Sequence, residues 1–391
     1  MSNFLAKLVP RSAVVVLLSL TVAAVAAFAA VSHLVNRFNA NQQARGRKLY
    51  AAGVNDMNAG NPTRAVEEFR AALTCDSSNP QYQLNLGRAL RDTGRLDEAE
   101  SYLVTLWQRT PEDGTINLAL ARVSARRGSL DDAIRYYHNA IYGVWAADAN
   151  VNRRASQVEL IEFLLRKNAR PQARAELVAL AASLPPDPEL HLETAQLLMQ
   201  AQDYPTALSE YEKAVMLDRG NAIALAGAGE AAYRAGRYRT AERYLQAAVN
   251  ADTQDFDSRR LLESASLVLR ADPFVRHISD AERNRRISAA FATSGEHLTS
   301  CAQQKGVNLA APPNTDASAP PPPALVALES RWVSTKPDLT RLRSVAESDL
   351  PDAIMDLVFQ IEQQTEIDCG EPQGLDEALL LISRNREAAD Q

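Results

Sequence analysis

The hydrophobic and polar positions follow three different rules along the chain. From Ala13 to Val31 no side chain is charged and only Ser19 and Thr21 are polar. About twenty apolar residues in helical form are enough to cross the hydrocarbon core of a bilayer. Lys7 and Arg11 precede this run, Arg37 follows it, and the chain continues from Val31 to Phe38 without an obvious break. It reads as an uncleaved membrane anchor through residues 13–31, with 1–36 as anchor and flanks. Two alternatives stay open: a secretory signal peptide, for which Ala27-Phe28-Ala29 offers a cleavage site, and a buried core helix. Sidedness rests on opposed signals. Arg37, Arg45, Arg47 and Lys48 outnumber Lys7 and Arg11, which would keep the large domain cytoplasmic. A short basic leader without acidic residues favours the opposite, a bacterial inner-membrane protein with an extracytoplasmic soluble domain, and that is the expectation adopted.

The second stretch has a period of 34. Ala65, Ala99 and Ala133 are 34 apart, and Ala173, Ala207 and Ala241 repeat the spacing after a six-residue slip. Twelve residues ahead of each alanine stands Gly53, Gly87, Ala121, Ile161, Ala195 or Gly229. Four residues after it stands a large apolar residue: Phe69, Leu103, Tyr137, Leu177, Tyr211 or Leu245. Three further on is Ala72, Leu106, Ala140, Leu180, Ala214 or Ala248, and Gly60, Gly94, Gly128 and Gly236 fall just before second helices. This pattern predicts six pairs of antiparallel helices joined by short turns, with small residues where backbones approach and large ones filling the space between pairs. One pair cannot bury its apolar face alone, so the pairs must stack. The residues 148–153 left by the slip predict a loop or a slight dislocation. Beyond Asp255, the spacing of Phe256, Leu261, Leu262, Ala265 and Leu269 predicts a helix covering the last apolar face.

The pattern resembles the tetratricopeptide repeat (TPR) family. The second repeat is the clearest, with Leu86-Gly87, Gly94, Ala99, Leu103, Leu106 and Pro111; the fifth reads Ala195, Tyr204, Ala207, Tyr211, Ala214 and Asp218. The resemblance covers 46–255, lacks the turn glycine in repeats four and five, and lacks the closing proline in four of the six. It implies an all-α right-handed solenoid of about six helix pairs with a capping helix, over residues 46–270. It also implies a binding groove lined by first helices. By repeat register that groove holds Arg88, Arg91, Arg122, Arg126 and Arg166, with Asp92 and Glu162 interspersed. Leu84, Leu118, Val158, Leu192, Met199 and Tyr233 supply apolar footing. Guanidinium groups on such a groove suit the carboxylates and carbonyls of a protein or peptide partner. The Lys/Asn clamp of chaperone-type TPR domains is missing, since its places hold Leu84 and Arg88.

The third stretch resembles no family. Ser279-Asp280-Ala281-Glu282 reads as a helix start, and Ile287, Phe291, Leu298 and Cys301 recur on one face, giving a connecting segment at 271–305. Prolines 312, 313 and 320–323 make 306–323 an extended linker. A C-terminal helical segment at 324–391 follows, with helices at 324–333, 338–346, 350–366 and 375–386, packing onto the 280–304 helix or the array end.

Charge refines the picture little. The net charge is −6, so nothing global favours nucleic acid. Residues 346–391 carry twelve acids against two arginines, so the remainder is slightly basic. No phosphate loop, G-x-S-x-G elbow, H-E-x-x-H or spaced Cys/His set is present, and His33, His138, His191, His277 and His297 are scattered. An enzyme is not expected, nor a cofactor, a metal or a small-molecule substrate. Of the three cysteines, Cys301 and Cys369 would staple the last helices together if the domain is extracytoplasmic; otherwise they are two buried thiols. The expectation is a membrane-anchored scaffold using a TPR groove in an envelope assembly. The alternative is an obligate structural subunit of one large membrane complex, which should aggregate when made alone without residues 1–36.

Overall fold

The structure is a computed structural model that describes residues 11–309, 324–342 and 349–389. Most of the expected proline-rich linker, from residue 310 to 323, lies outside them. Among the described residues every regular element is helical. They form two compact units, residues 1–167 and 168–391, and the boundary falls in the sequence between the two helices of the fourth repeat.

The first unit begins with a single helix of 48 residues, α1 (Arg11–Asn58). Its N-terminal part holds an 18-residue window of mean hydropathy 2.4, none of which is buried. Val16, Leu20, Phe28 and Leu34 stand more than half exposed. The same helix continues without interruption into the first repeat, where Gly46 and Gly53 are buried. There follow α2 (Pro62–Cys75), α3 (Pro80–Asp92), α4 (Leu96–Trp107), α5 (Gly114–Arg127), α6 (Leu130–Tyr142) and α7 (Ala149–Arg166). Sequential helices pack on one another, α1 on α2 and α2 on α3, and onward to α7.

The second unit continues the repeat with α8 (Arg170–Ser183), α9 (Pro188–Gln200), α10 (Tyr204–Leu217), α11 (Ala222–Arg234), α12 (Tyr238–Ala251) and α13 (Phe256–Ala271). Helix α13 covers α12 and touches α11, as a terminal helix should. Then come α14 (Asp280–Lys305), α15 (Ala324–Thr335), the single turn α16 (Asp338–Arg341), α17 (Leu350–Cys369) and α18 (Leu375–Ala389).

Local chemistry explains the helix ends. Asn79, Asp113 and Asp187 each accept hydrogen bonds from two backbone amides of the turn that follows, capping α3, α5 and α9. Proline occupies the first turn of α3 and α9, where a missing amide costs nothing. The residue five ahead of each repeat alanine is left-handed. Gly60, Gly94, Gly128 and Gly236 take φ values of 75°, 79°, 86° and 70°. In repeats four and five, where glycine is missing, Asn168 and Gln202 adopt the same conformation at 57° and 59°. The turn is therefore conserved in shape where its residue is not, at a cost of roughly 1–2 kcal/mol per non-glycine residue.

All six repeat alanines have zero exposure, and the six large residues four positions on are 0–5% exposed. A Cβ added at Gly53, Gly87 or Gly229 would fall 2.6, 2.8 and 2.6 Å from Phe69, Leu103 and Leu245 respectively. The small residue on the first helix thus exists to admit the large residue of the second.

The expected loop at 148–153 is corrected. Its residues from Ala149 belong to α7, which is lengthened to 18 residues. The chain breaks earlier, at 143–148, where Gly114 N donates to Val144 O and Val144 N to Glu112 O, both at 2.8 Å. The Trp145 indole lies against Gly114 and donates to Ala140 O at 2.9 Å, so this segment is pinned to the preceding repeat.

In the C-terminal part of the second unit, α14 packs along α17, and α15 and α18 flank that pair. Ser279 caps α14 through the Glu282 amide. Trp332 on α15 stacks on Phe291 of α14 with centroids 5.2 Å apart. Cys301 and Cys369 are joined by a disulfide linking α14 to α17, with Cα atoms 5.8 Å apart. The Arg286 guanidinium donates to Leu269 O and Asp272 O, carbonyls at the C-terminus of α13, which ties α14 to the end of the array.

Candidate partner-binding site

The first unit contains a cleft of about 670 Å³ on its first-helix face. Arg91 of α3, Arg122 and Arg126 of α5, and Glu162 and Arg166 of α7 all line it. These residues lie up to 75 positions apart in sequence and were assigned to one groove by register alone. Asp113-capped α5 sets the middle of the row, and α7 supplies the far wall.

Charge pairing in the cleft is incomplete. Arg122 donates through Nε to Glu159 at 2.9 Å and through a second nitrogen to the other carboxylate oxygen, a two-pronged pair. That hydrogen bond holds the Arg122 pKa above the usual arginine range despite burial. Arg91 contacts Asp92 at 2.7 Å, and Arg126 reaches the same oxygen at 3.6 Å. Arg166 lies 3.6 Å from Glu162. Arg88, eleven residues ahead of its repeat alanine as Arg122 is of its own, is not among the residues that line the cleft. Its Nε is buried without a hydrogen-bond partner. Burial, then Arg122 and Arg91, push its pKa down.

Among the lining residues five are cationic, with Lys167 the fifth, and two are carboxylates. Tyr137 adds a hydroxyl whose pKa is pushed up to about 12, chiefly by burial and then by Glu159. Phe163 supplies an apolar floor, with Lys167 Nζ 6.0 Å above its ring centroid. Glu159, Tyr137, Phe163 and Lys167 were not singled out in the sequence. Glu159 lies one turn ahead of Glu162 on the same helix face, which was the available signal. Tyr137 was assigned to packing between pairs, and only its hydroxyl end does more.

The apolar footing needs correction. Leu84, Leu118 and Leu192 are 6–8% exposed and offer no surface to a partner. First helices of successive repeats touch, α3 with α5 and α9 with α11, and that contact consumes these positions. Val158 and Met199 remain partly exposed.

Tyr233 is also taken, by the chain's own C-terminus. Its hydroxyl lies 2.8 Å from Ser264 Oγ and 3.5 Å from Glu377 Oε1 of α18. Asn385 of α18 donates to Gly236 O at 3.4 Å. A second cleft, about 1190 Å³, surrounds this contact, and its four arginines are matched by four glutamates. It lacks the cationic surplus of the first.

Comparison with known proteins accords with this architecture. Family models described as tetratricopeptide repeat match residues 50–109, 84–152, 160–222 and 198–264, together more than half of the chain. No curated protein matches it. Similar solved structures include the C-terminal part of a TPR repeat-containing protein from Cytophaga hutchinsonii, at 13% identity and TM-score 0.43, covering 61% of this chain and 93% of that one. Pseudomonas aeruginosa pilF shares 16% identity at TM-score 0.38 over 56% of this chain and 97% of its own. PilW, a type IV pilus biogenesis factor, shares 16% identity at TM-score 0.37 over 56% of this chain and 98% of its own. At these TM-scores the likenesses assign no function.

Proposed function

From the chain's membership of the tetratricopeptide repeat family, whose domains are scaffolds that bind protein or peptide partners, we propose that it is a membrane-anchored scaffold whose first unit holds an acidic segment of a partner protein in an envelope assembly. The observation that carries this reading is the cationic surplus of the first cleft, whose lining sets five cationic residues against two carboxylates. A partner carboxylate would supply the missing counter-charge in a partly desolvated place, where such pairs contribute most to specificity and residence time. The family is generally one of interaction scaffolds, which supports a binding role.

The apolar part of α1 supports this location. Its exposed apolar half is a membrane span or a signal sequence. We take it as a span, because the helix runs unbroken into the first repeat. Between Val31 and Gly46 that leaves about 20 Å of helix, a stiff spacer that would hold the arginine cleft near the bilayer. The Cys301–Cys369 disulfide favours an extracytoplasmic, oxidising side.

The test uses the full-length chain purified from its native membrane, with co-purifying proteins identified by mass spectrometry. Arg91→Glu together with Arg126→Glu should deplete a defined partner by at least about tenfold, equivalent to ~1.4 kcal/mol, while leaving the melting profile unchanged. Undiminished recovery of the same partners by a folded variant would contradict the proposal.

A further inference from the structure

The C-terminal bundle of the second unit holds a polar cluster that partner binding does not use. His297 on α14, Glu362 on α17 and Asp376 in the first turn of α18 direct one nitrogen and two carboxylate oxygens to a common point, all within 4.8 Å of one another. His297 Nδ1 lies 2.7 Å from Glu362 Oε2 and 3.8 Å from Asp376 Oδ2. The Thr365 hydroxyl lies 3.2 Å from the same nitrogen and has backbone acceptors of its own at Ile361 and Glu362.

Two facts make this more than a crowded ion pair. Glu362 has zero exposure, yet its second oxygen, Oε1, has no hydrogen-bond partner, and Asp376 Oδ1 is likewise buried and unpartnered. Among the described residues no lysine or arginine pairs with either carboxylate. One imidazole cannot offset a fully buried carboxylate and a second, partly buried one, and an uncompensated buried charge is strongly destabilising. Secondly, the scaffold around the cluster is fixed. One turn beyond His297 on α14 and two turns beyond Glu362 on α17, the Cys301–Cys369 disulfide sets the distance between the two helices. Ligands on helices held in this way need little reorganisation to close on an ion.

We propose that His297, Glu362 and Asp376 bind a divalent transition-metal ion of the zinc class. A nitrogen and two carboxylate oxygens suit such an ion better than magnesium or calcium, which take oxygen ligands. Tetrahedral zinc at ~2.0–2.2 Å from each ligand sets them about 3.3 Å apart, between the two separations measured from Nδ1. The ion would neutralise the carboxylates and join α14, α17 and α18. Glu377, next to Asp376, is the residue that reaches Tyr233. The metal would therefore hold α18 on the first-helix face of the second unit. The sequence conceals such a site, because its members are 65 and 14 residues apart, outside any ligand spacing.

The test is metal titration of the full chain in detergent after chelator treatment, read by calorimetry, by metal content and by the visible spectrum of the cobalt(II) form. One zinc per chain is expected, with a raised melting temperature, a cobalt spectrum of nitrogen and oxygen ligation, and no response to magnesium or calcium. His297→Ala and Glu362→Gln should each weaken zinc by at least about tenfold. If a variant fails to fold, the wild-type cobalt spectrum still decides. Absence of stoichiometric zinc or cobalt in folded wild type, or binding retained in both variants, would overturn the assignment.

Discussion

The two units use one repeat to opposite ends. At the position eleven ahead of the repeat alanine the first unit carries Val54, Arg88, Arg122 and Glu162, whereas the second carries Gln196 and Glu230. At the position eight ahead, Arg91 lines an open cleft, while Tyr233 bonds to Ser264 and Glu377. The backbone, the buried alanines and the left-handed turns are the same in both. The difference shows that repeat architecture sets where a face lies, and the solvent-side residues decide whether it stays open or is closed by the chain itself.

The comparison can be broken most severely at α18. Leu379 has zero exposure there, and Leu379→Asp would bury an unpaired charge at a cost of about 5 kcal/mol. Hydrogen exchange should show lost protection in α18 and around Tyr233; unchanged protection would mean that α18 does not hold that face. Replacing Cys301 and Cys369 by serine opens a loop of 68 residues and is expected to destabilise the second unit by about 4 kcal/mol, measured by denaturant titration. Gln202→Gly should act in the other direction, stabilising by about 1 kcal/mol, because φ of 59° strains glutamine. A loss of stability would show that Gln202 contributes contacts outweighing its strain.

A further effect is read only at alkaline pH and should be similar in the two units. Burial pushes Tyr137 in one and Tyr211 in the other up to about 12 from 10.0. Since the folded pKa is raised, the protonated phenol is favoured in the fold. The stabilisation is complete below pH 10 and is lost as pH climbs through 12. Tyrosinate absorbance followed with circular dichroism should place the loss in that window; loss beginning well below pH 10 would contradict it.

The helix pairs were legible because each repeat restates the same local rule, and six alanines in register report on one packing site. The positive-φ turns at Asn168 and Gln202 could be found by register, though neither residue announces one. Depth was less legible. Register places Leu84 and Leu118 on the inner face, but not beneath the neighbouring helix that covers them. The C-terminal helices were visible as helices, and Cys301 and Cys369 as a possible pair. That α18 would turn back onto Tyr233 was not, since no repeat relates 375–389 to the array. His297, Glu362 and Asp376 were scattered polar residues until the bundle brought them together.

The most direct test of the account is site-specific photo-crosslinking in the native membrane. Ala125 lines the first cleft and Leu261 the second, and a photoreactive residue can replace either one. A discrete crosslink to a separate protein is expected from position 125, and only intramolecular products from position 261. A partner captured from 261 and none from 125 would contradict the account.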